Sequence, residues 1–315
     1  MVMTEKAVPE KILVIKLSAL GDFILAMGAM EAIRRHHKGA HITLLTTRPF
    51  LDLAQRSGYF NDIIIDSRPK FYEVHLWYFL FKKLNDGGFT RVYDLQLNQR
   101  TSVYYRLLMQ KPEWSGVVPN APLFYPNPDW RNMHAFKRHQ EMLKMAGIDA
   151  QLPDISWMRS DVSLFGIKKP YVLLIPGSAP QHPAKRWPAK NYGALALKLM
   201  KEGYQPVVLG TEAEAEVIDR VIKSCPEAVD LSGKTSLYDI ATLARDAAGA
   251  IGNDTGPAHL AALAGCPIVA LFCTQESSPA LSAPVGKSVK IIQADNLENV
   301  SMTDVYKKFQ PEAAA

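Results

Sequence analysis

"IGNDTGPAHLAALAGCPIVALF", residues 251–272, joins an apolar run, a polar turn and an Ala-rich segment of helical character to a second apolar run, Ile268 to Phe272. Short apolar runs bounded by turn residues read as buried strands, and a helix between two of them is the connection that parallel strands require. The pattern recurs in both directions along the chain. Ile12 to Leu17, Ile42 to Thr46, Ile63 to Ile65 and Arg91 to Leu95 make one set of strand-like runs. Tyr171 to Ile175, Pro206 to Leu209, Ala250 to Gly252 and Ile268 to Phe272 make a second. Near-continuous apolar strands alternating with helices indicate parallel sheets covered on both faces. The expected class is α/β, with two Rossmann-like, doubly wound domains facing a central cleft.

Length agrees with two domains, because the 315-residue chain exceeds the roughly 250 residues at which single cores tend to split. A stretch crowded with Pro and Trp, Pro112 to Trp130, is followed by a helix around His134 to Ala146 and by Pro153 to Gly166. This shift in composition puts the boundary near residues 155–168, so that residues 1–160 and 161–315 are the expected domains.

The formal net charge of +5 comes from scattered Lys and Arg, which gives a mild preference for anionic partners without the basic stripe of a nucleic-acid protein. Cys225, Cys266 and Cys273 have neither CxxC spacing nor a neighbouring His cluster, so neither a disulfide framework nor a zinc site is indicated. The N-terminal MVMTEKAVPEK lacks the apolar core of a secretion signal, and no run of 18 apolar residues occurs. A cytoplasmic protein is expected. There is no D-x-D pair, and neither a metal nor a cofactor is expected.

In doubly wound sheets, chemistry sits in loops at the carboxyl ends of strands. "KLSALGD", residues 16–22, is the first such loop, and Asp22 opens a helix whose apolar face runs through Ile24, Met27, Ala32 and Ile33. A carboxylate there satisfies the helix start, and at a cleft edge it also suits a general base. One glycine, Gly21, stands where a dinucleotide fingerprint needs three. In "LLIPGSAPQHPAKRWPAKNYGALALKL", residues 173–199, a strand ends at Ile175 and a loop carries His182, Lys185 and Arg186 before a helix opens near Pro188. Two adjacent cations facing the cleft suit a diphosphate; a solvated surface pair would read the same way. "LSGKTS", residues 231–236, has Ala228 where a P-loop needs glycine, and reads as a turn followed by a helix cap at Ser236.

The opening stretch now acquires a chemical reading. Thr255-Gly256-Pro257 starts the helix AHLAALAG, whose first backbone N–H groups form an anion site that Gly256 lets a phosphate approach. Asp254 would repel phosphate; it suits a ribose hydroxyl or a hold on Lys185. An ordinary cap is the simpler reading, but it does not require Asp254, Thr255, Gly256 and His259 together.

"KILVIKLSALGDFILAMGAMEAIRR", "PGSAPQHPAKRWPAKNYGALALKL" and "LSGKTSLYDIATLARDAAGAIGNDTGPAHLAALAGCPIVALF" resemble three signature blocks of glycosyltransferase family 9, the lipopolysaccharide heptosyltransferases. "RVYDLQLNQRTSVYYRLL" and "RHQEMLKMAGI" are weaker likenesses, and the resemblance runs from about residue 11 to about 286. It implies a GT-B fold, with the acceptor bound mainly by the first domain and a nucleotide-sugar, an ADP-heptose-type donor, mainly by the second. The implied reaction is metal-independent, inverting transfer of a heptose to a lipopolysaccharide core or lipid A-Kdo acceptor. By the same resemblance the general base falls on Asp22 and the phosphate lysine on Lys185, beside Arg186. The helix-start phosphate site falls on Asp254, Thr255 and Gly256, with His259 one turn on. An acid for the donor nucleoside falls within "LGTEAEAE", on Glu214 with Glu212 as the alternative. The chain departs from the family at Cys273 to Ser278, which replaces a Gly-Pro-Thr run and leaves another nucleotide-sugar open as donor.

A Rossmann-type oxidoreductase would want a Gly-rich first turn and an acid after the second strand, where Thr46-Thr47-Arg48 stands instead. A non-catalytic binding protein would not need Asp22, Lys185 and the NDTG turn together. One stretch lies outside these blocks: "RPKFYEVHLWYFLFKKL", residues 68–84, combines six aromatic residues with Arg68, Lys70, Lys82 and Lys83. It suits peripheral contact with an anionic inner membrane that holds the acceptor, and a core helix would read similarly.

Overall fold

The computed structural model describes residues 9–310. The chain forms two compact units, one ending at Pro153 and the other beginning at Asp154 and also taking in Leu20–Leu25.

The first unit holds β1 (Lys11–Ile15), β2 (His41–Thr46), β3 (Asp62–Ile65), β4 (Arg91–Asp94), β5 (Glu113–Gly116) and β6 (Leu123–Phe124). They form one parallel sheet in the order β3-β2-β1-β4-β5-β6. The helices of this part of the chain are α1 (Leu20–His36), α2 (Leu51–Ser57), α3 (Val74–Asp86), α4 (Gln99–Leu107) and α5 (Ala135–Met145). β1 buries every residue after Lys11, and its Leu13 and Ile15 share a core with Leu80 and Leu84 of α3, Tyr104 of α4 and Trp114 of β5.

The second unit repeats the plan. β7 (Tyr171–Ile175), β8 (Gln205–Val208), β9 (Val229–Asp230), β10 (Gly249–Asn253), β11 (Ile268–Cys273) and β12 (Val289–Ala294) lie in the order β12-β11-β10-β7-β8-β9, all parallel. Its helices are α6 (Ala189–Lys201), α7 (Ala215–Ser224), α8 (Leu237–Asp246), α9 (Gly256–Leu263), α10 (Pro279–Ser282) and α11 (Met302–Phe309). β7, β10 and β11 are buried at every position, as apolar strands between two helical layers must be. Counted from the first strand of each unit, both sheets have the order 3-2-1-4-5-6 of the doubly wound nucleotide-binding fold.

The eight anticipated strands are present, and β5, β6, β9 and β12 are additional. Glu113–Gly116 pairs on both sides, with β4 and with the two-residue edge strand Leu123–Phe124, within a stretch whose Pro and Trp content suggested a connection between halves. β9 pairs at the edge through only two residues, and β12 is half-buried with Lys290 and Gln293 in it, so neither carries the continuous apolar run of an interior strand. Ser236 caps α8, and its hydroxyl accepts from Asp239 N as expected for the turn after Leu231. Among the described residues, no helix is long and apolar enough to cross a membrane.

Candidate active site

In the second unit the strand order reverses between β7 and β10, so the loops leaving their carboxyl ends diverge and open a crevice there. Both loops are held by one buried side chain. Asn253 ends β10 with no exposed surface, and its Oδ1 accepts from Trp187 N at 3.1 Å and from the Tyr192 hydroxyl at 3.1 Å. Its Nδ2 donates to the carbonyls of Pro176 at 2.8 Å and Gly177 at 3.1 Å. The loop after β7, the segment entering α6 and the turn after β10 are thereby tied to a single amide.

The next residue, Asp254, is buried and charged. Its Oδ2 accepts from Lys185 Nζ at 2.7 Å, and its Oδ1 lies 3.5 Å from His259 Nε2, one turn into α9. Burial alone would push this carboxyl up, but the His259 imidazole and the Lys185 ammonium outweigh it and hold it at about 2. His259 is 4% exposed, and its Nδ1 has no hydrogen-bond partner. Of the two roles open to Asp254, the hold on Lys185 is the contact observed.

Thr255 is the N-cap of α9, but its side chain makes no capping bond; its hydroxyl donates at 3.3 Å to Asn253 O. Thr255, Gly256 and Pro257 instead line a cavity of about 490 Å³, together with Ser178, Glu214 and Ser236. That volume lies within the range of small-molecule sites. Gly256 is explained by packing alone: a Cβ there would fall inside van der Waals contact of the Leu20 side chain. The glycine is therefore required whatever the cavity holds.

Glu214 sits on the cavity wall, and its Oε2 accepts from Thr211 N at 2.8 Å and from the Thr211 hydroxyl at 2.9 Å. Glu212 is exposed and lies outside that lining, against Gly233. Arg186 does not extend into solvent. Its Nε donates to Ser178 Oγ at 3.0 Å and its guanidinium to Ser178 O at 3.0 Å, so its charge braces the loop after β7. His182 Nδ1 pairs with Glu276 Oε2 at 2.7 Å, which joins the same loop to the divergent segment 273–278.

Asp22 lies in the first turn of α1, within the Leu20–Leu25 segment that groups with the second unit. Gly21 beside it packs on His259, where a Cβ would come within 2.9 Å of the imidazole. The loop before α1 is anchored in the first unit. Gln96 Oε1 accepts from Leu17 N at 2.8 Å and Ser18 N at 3.2 Å, and Lys16 Nζ donates to Leu95 O at 3.2 Å. Below it, full burial pushes the Asp94 carboxyl up to about 6, against bonds from Thr101 Oγ1 and the N–H groups of Leu97 and Gln96.

Asn253, Ser178 and the His182–Glu276 pair were not singled out by sequence. In sequence Asn253 reads only as part of the turn after Gly252; its place at the carboxyl end of the apolar run is the one signal that marks it. Among the described residues, no group of three His, Cys, Asp or Glu is placed to hold a metal ion.

The comparisons with known proteins converge on one family. Residues 77–310 match the model for glycosyltransferase family 9 (heptosyltransferase), a span that begins after the block containing Asp22. Lipopolysaccharide heptosyltransferase 2 of Salmonella typhimurium is 33% identical over 143 residues, which are 44% of this chain and 40% of that protein. The matched segment is thus well under half of the relative's length. A glycosyl transferase family 9 structure from Veillonella parvula superposes with a TM-score of 0.79 at 22% identity, covering 95% of each chain. The E. coli ADP-heptose lps heptosyltransferase II structure gives 0.72 at 21% identity, covering 95% of this chain and 97% of that one. These likenesses establish the GT-B fold.

The Asp254 ion cluster has a measurable consequence. Its folded pKa lies below the ordinary 3.8, so its contribution to stability is present above about pH 4 and is lost as pH falls towards about 2. The shift corresponds to about 2 kcal/mol. In urea unfolding between about pH 5 and about pH 2 the wild type is expected to lose about 2 kcal/mol more than Asp254→Asn; parallel pH curves would contradict the assignment. With more than half of its length matched to one family model, the chain belongs to glycosyltransferase family 9 (heptosyltransferase).

Proposed function

We propose that the protein transfers a heptose from an ADP-heptose-type donor to a lipopolysaccharide core or lipid A-Kdo acceptor, with inversion at the anomeric carbon. The observation that carries this reading is the 490 Å³ cavity lined by Thr255, Gly256 and Glu214, with the Lys185–Asp254–His259 cluster on residues flanking the same turn. The family supports the class of donor and acceptor: the relative in Salmonella typhimurium is a lipopolysaccharide heptosyltransferase, and an E. coli neighbour is an ADP-heptose lps heptosyltransferase. In this reading the second unit binds the donor and the first the acceptor, and the protein works in the cytoplasm against the inner membrane.

The chemistry requires one base and several fixed positive poles. Asp22 takes the proton from an acceptor hydroxyl as its oxygen bonds to the anomeric carbon; the bond from that carbon to the diphosphate breaks on the opposite face, and ADP departs. General-base help of this kind is worth roughly 100- to 10,000-fold. Lys185 and the first N–H groups of α9 stabilise charge on the leaving phosphate, at about 3 kcal/mol for each well-placed donor. Asp254 keeps Lys185 in place before the donor arrives, and Glu214 stands where a nucleoside hydroxyl could donate to it. Arg186 contributes by fixing Ser178 rather than by meeting phosphate. A second reading, another nucleotide-sugar as donor, is favoured by the segment 273–278, which Glu276 ties to His182 beside the site.

Two variants separate the roles. Asp22→Asn is expected to keep ADP affinity within about twofold while turnover falls more than about 100-fold. Activity near the wild-type level would remove the base assignment. Lys185→Ala should weaken ADP binding by at least about tenfold, or 1.4 kcal/mol, along with turnover. Because it also strips Asp254 of its partner, melting temperature is recorded on the same preparation; a folded variant with unchanged ADP affinity would return Lys185 to a structural role.

A further inference from the structure

Exposed apolar side chains in the first unit are concentrated rather than scattered. Phe71 is 89% exposed, Val74 70%, Tyr78 60% and Phe79 56%. With Tyr72, Val103 and Met109 they are seven of the twelve large apolar side chains exposed among the described residues. All seven lie on the loop before α3, on α3 itself, or on and just after α4. Isolated exposed hydrophobics need no explanation, but a contiguous group marks an interaction site.

α3 already spends one apolar face on the core, through Leu80 and Leu84. Its outward face should then be polar, yet it carries Val74, Tyr78 and Phe79. Between α3 and α4 runs a groove of about 530 Å³ lined by Phe71, Val74, Trp77, Tyr78, Phe81 and Val103. The loop beside it is fastened. Trp77 Nε1 donates to Lys70 O at 3.0 Å, and the Arg100 guanidinium lies 5.0 Å from the Trp77 ring centre, donates to Pro69 O and pairs with buried Asp66. Phe71 and Tyr72 are thus held outward by a braced loop.

The surrounding charge chooses the occupant. Residues 68–86 carry Arg68, Lys70, Lys82 and Lys83 against Glu73 and Asp86, and residues 99–109 add Arg106 with no acid, Arg100 being paired with Asp66. A second copy meeting this face about a two-fold axis would set a cationic rim against itself. An anionic bilayer surface presents the opposite charge to the rim and an apolar layer to Phe71 and Phe79, while the amphipathic rings of Tyr72 and Tyr78 favour the head-group region.

We propose that the loop 68–73, α3 and the adjoining face of α4 form a lipid-docking surface that seats Phe71, Tyr72, Tyr78 and Phe79 in an anionic bilayer, with the Lys and Arg rim on its head groups. The proposal rests on the membrane-side acceptor of the proposed function and identifies the surface and lipid charge that would bring the enzyme to it.

Co-sedimentation of the full chain with vesicles tests it. Binding to equal mixtures of phosphatidylglycerol and phosphatidylcholine should exceed binding to phosphatidylcholine alone by at least about tenfold, and should fall as salt is raised. The triple variant Phe71→Ser, Tyr78→Ser, Phe79→Ser should lose at least about tenfold in vesicle binding at unchanged melting temperature, since the three side chains are exposed. Lys70→Glu with Lys83→Glu should lose binding to the anionic vesicles as well. Wild-type protein that ignores anionic vesicles, a triple variant that binds as the wild type does, or a solution dimer that the triple variant dissolves without any vesicle binding would each overturn the proposal. ADP affinity on the same samples keeps the readings apart: vesicle binding without ADP binding would count against the donor site and support the docking face.

Discussion

The amide of Asn253 is the constraint on which the candidate site depends. It lies at the carboxyl end of β10 where the sheet order reverses, and its two donors and its acceptor oxygen are all engaged with backbone or with the buried Tyr192 hydroxyl. A buried polar group left without its partner costs about 1–3 kcal/mol, so the loops after β7 and before α6 have one low-energy position relative to the turn 253–257. Trp187, whose N–H is fixed this way, follows Lys185 by two residues, and Asp254 follows Asn253 directly. The Lys185–Asp254 ion pair thus joins two segments already held in register.

Lys185 and Asp254 are paired beside the start of α9, and His259 lies against the same carboxylate. Asp254 offsets Lys185, which keeps a half-buried cation in place at the cost of lowering the positive potential that a ligand at this turn would feel. The α9 N–H groups carry no such penalty, because no side chain caps them and their dipole is fixed by the backbone. On the proposed function, this division accounts for an acid beside a phosphate: Asp254 acts on the lysine, whereas Thr255 and Gly256 at the helix start line the cavity.

The interior of the fold was legible because its strands are buried on both faces and show as continuous apolar runs. β5, β6, β9 and β12 were not: the edge strands β6, β9 and β12 are short or half-exposed, and β5, though paired on both sides, has only four residues with Glu113 and Ser115 among them. At the candidate site, residue type was more legible than role. Lys185, Asp254 and His259 came together, but Arg186 and Lys185 look equivalent in sequence, and only the structure separates their contacts, Arg186 with Ser178 and Lys185 with Asp254. Gly256 is the converse case, a glycine that phosphate chemistry would justify and that packing against Leu20 already demands. Asn253 reads as a turn residue because nothing in sequence reports what its side chain meets 66 and 77 residues away.

The central claim is that this arrangement transfers a heptose with inversion. The most direct measurement incubates the purified protein with ADP-heptose of defined anomeric configuration and a truncated lipopolysaccharide core, then weighs the product and assigns its anomeric centre by NMR. The account predicts an acceptor heavier by one heptose residue, with anomeric configuration opposite to that of the donor, and stoichiometric ADP. Retained configuration, or a product formed from a different nucleotide-sugar and not from ADP-heptose, would contradict it.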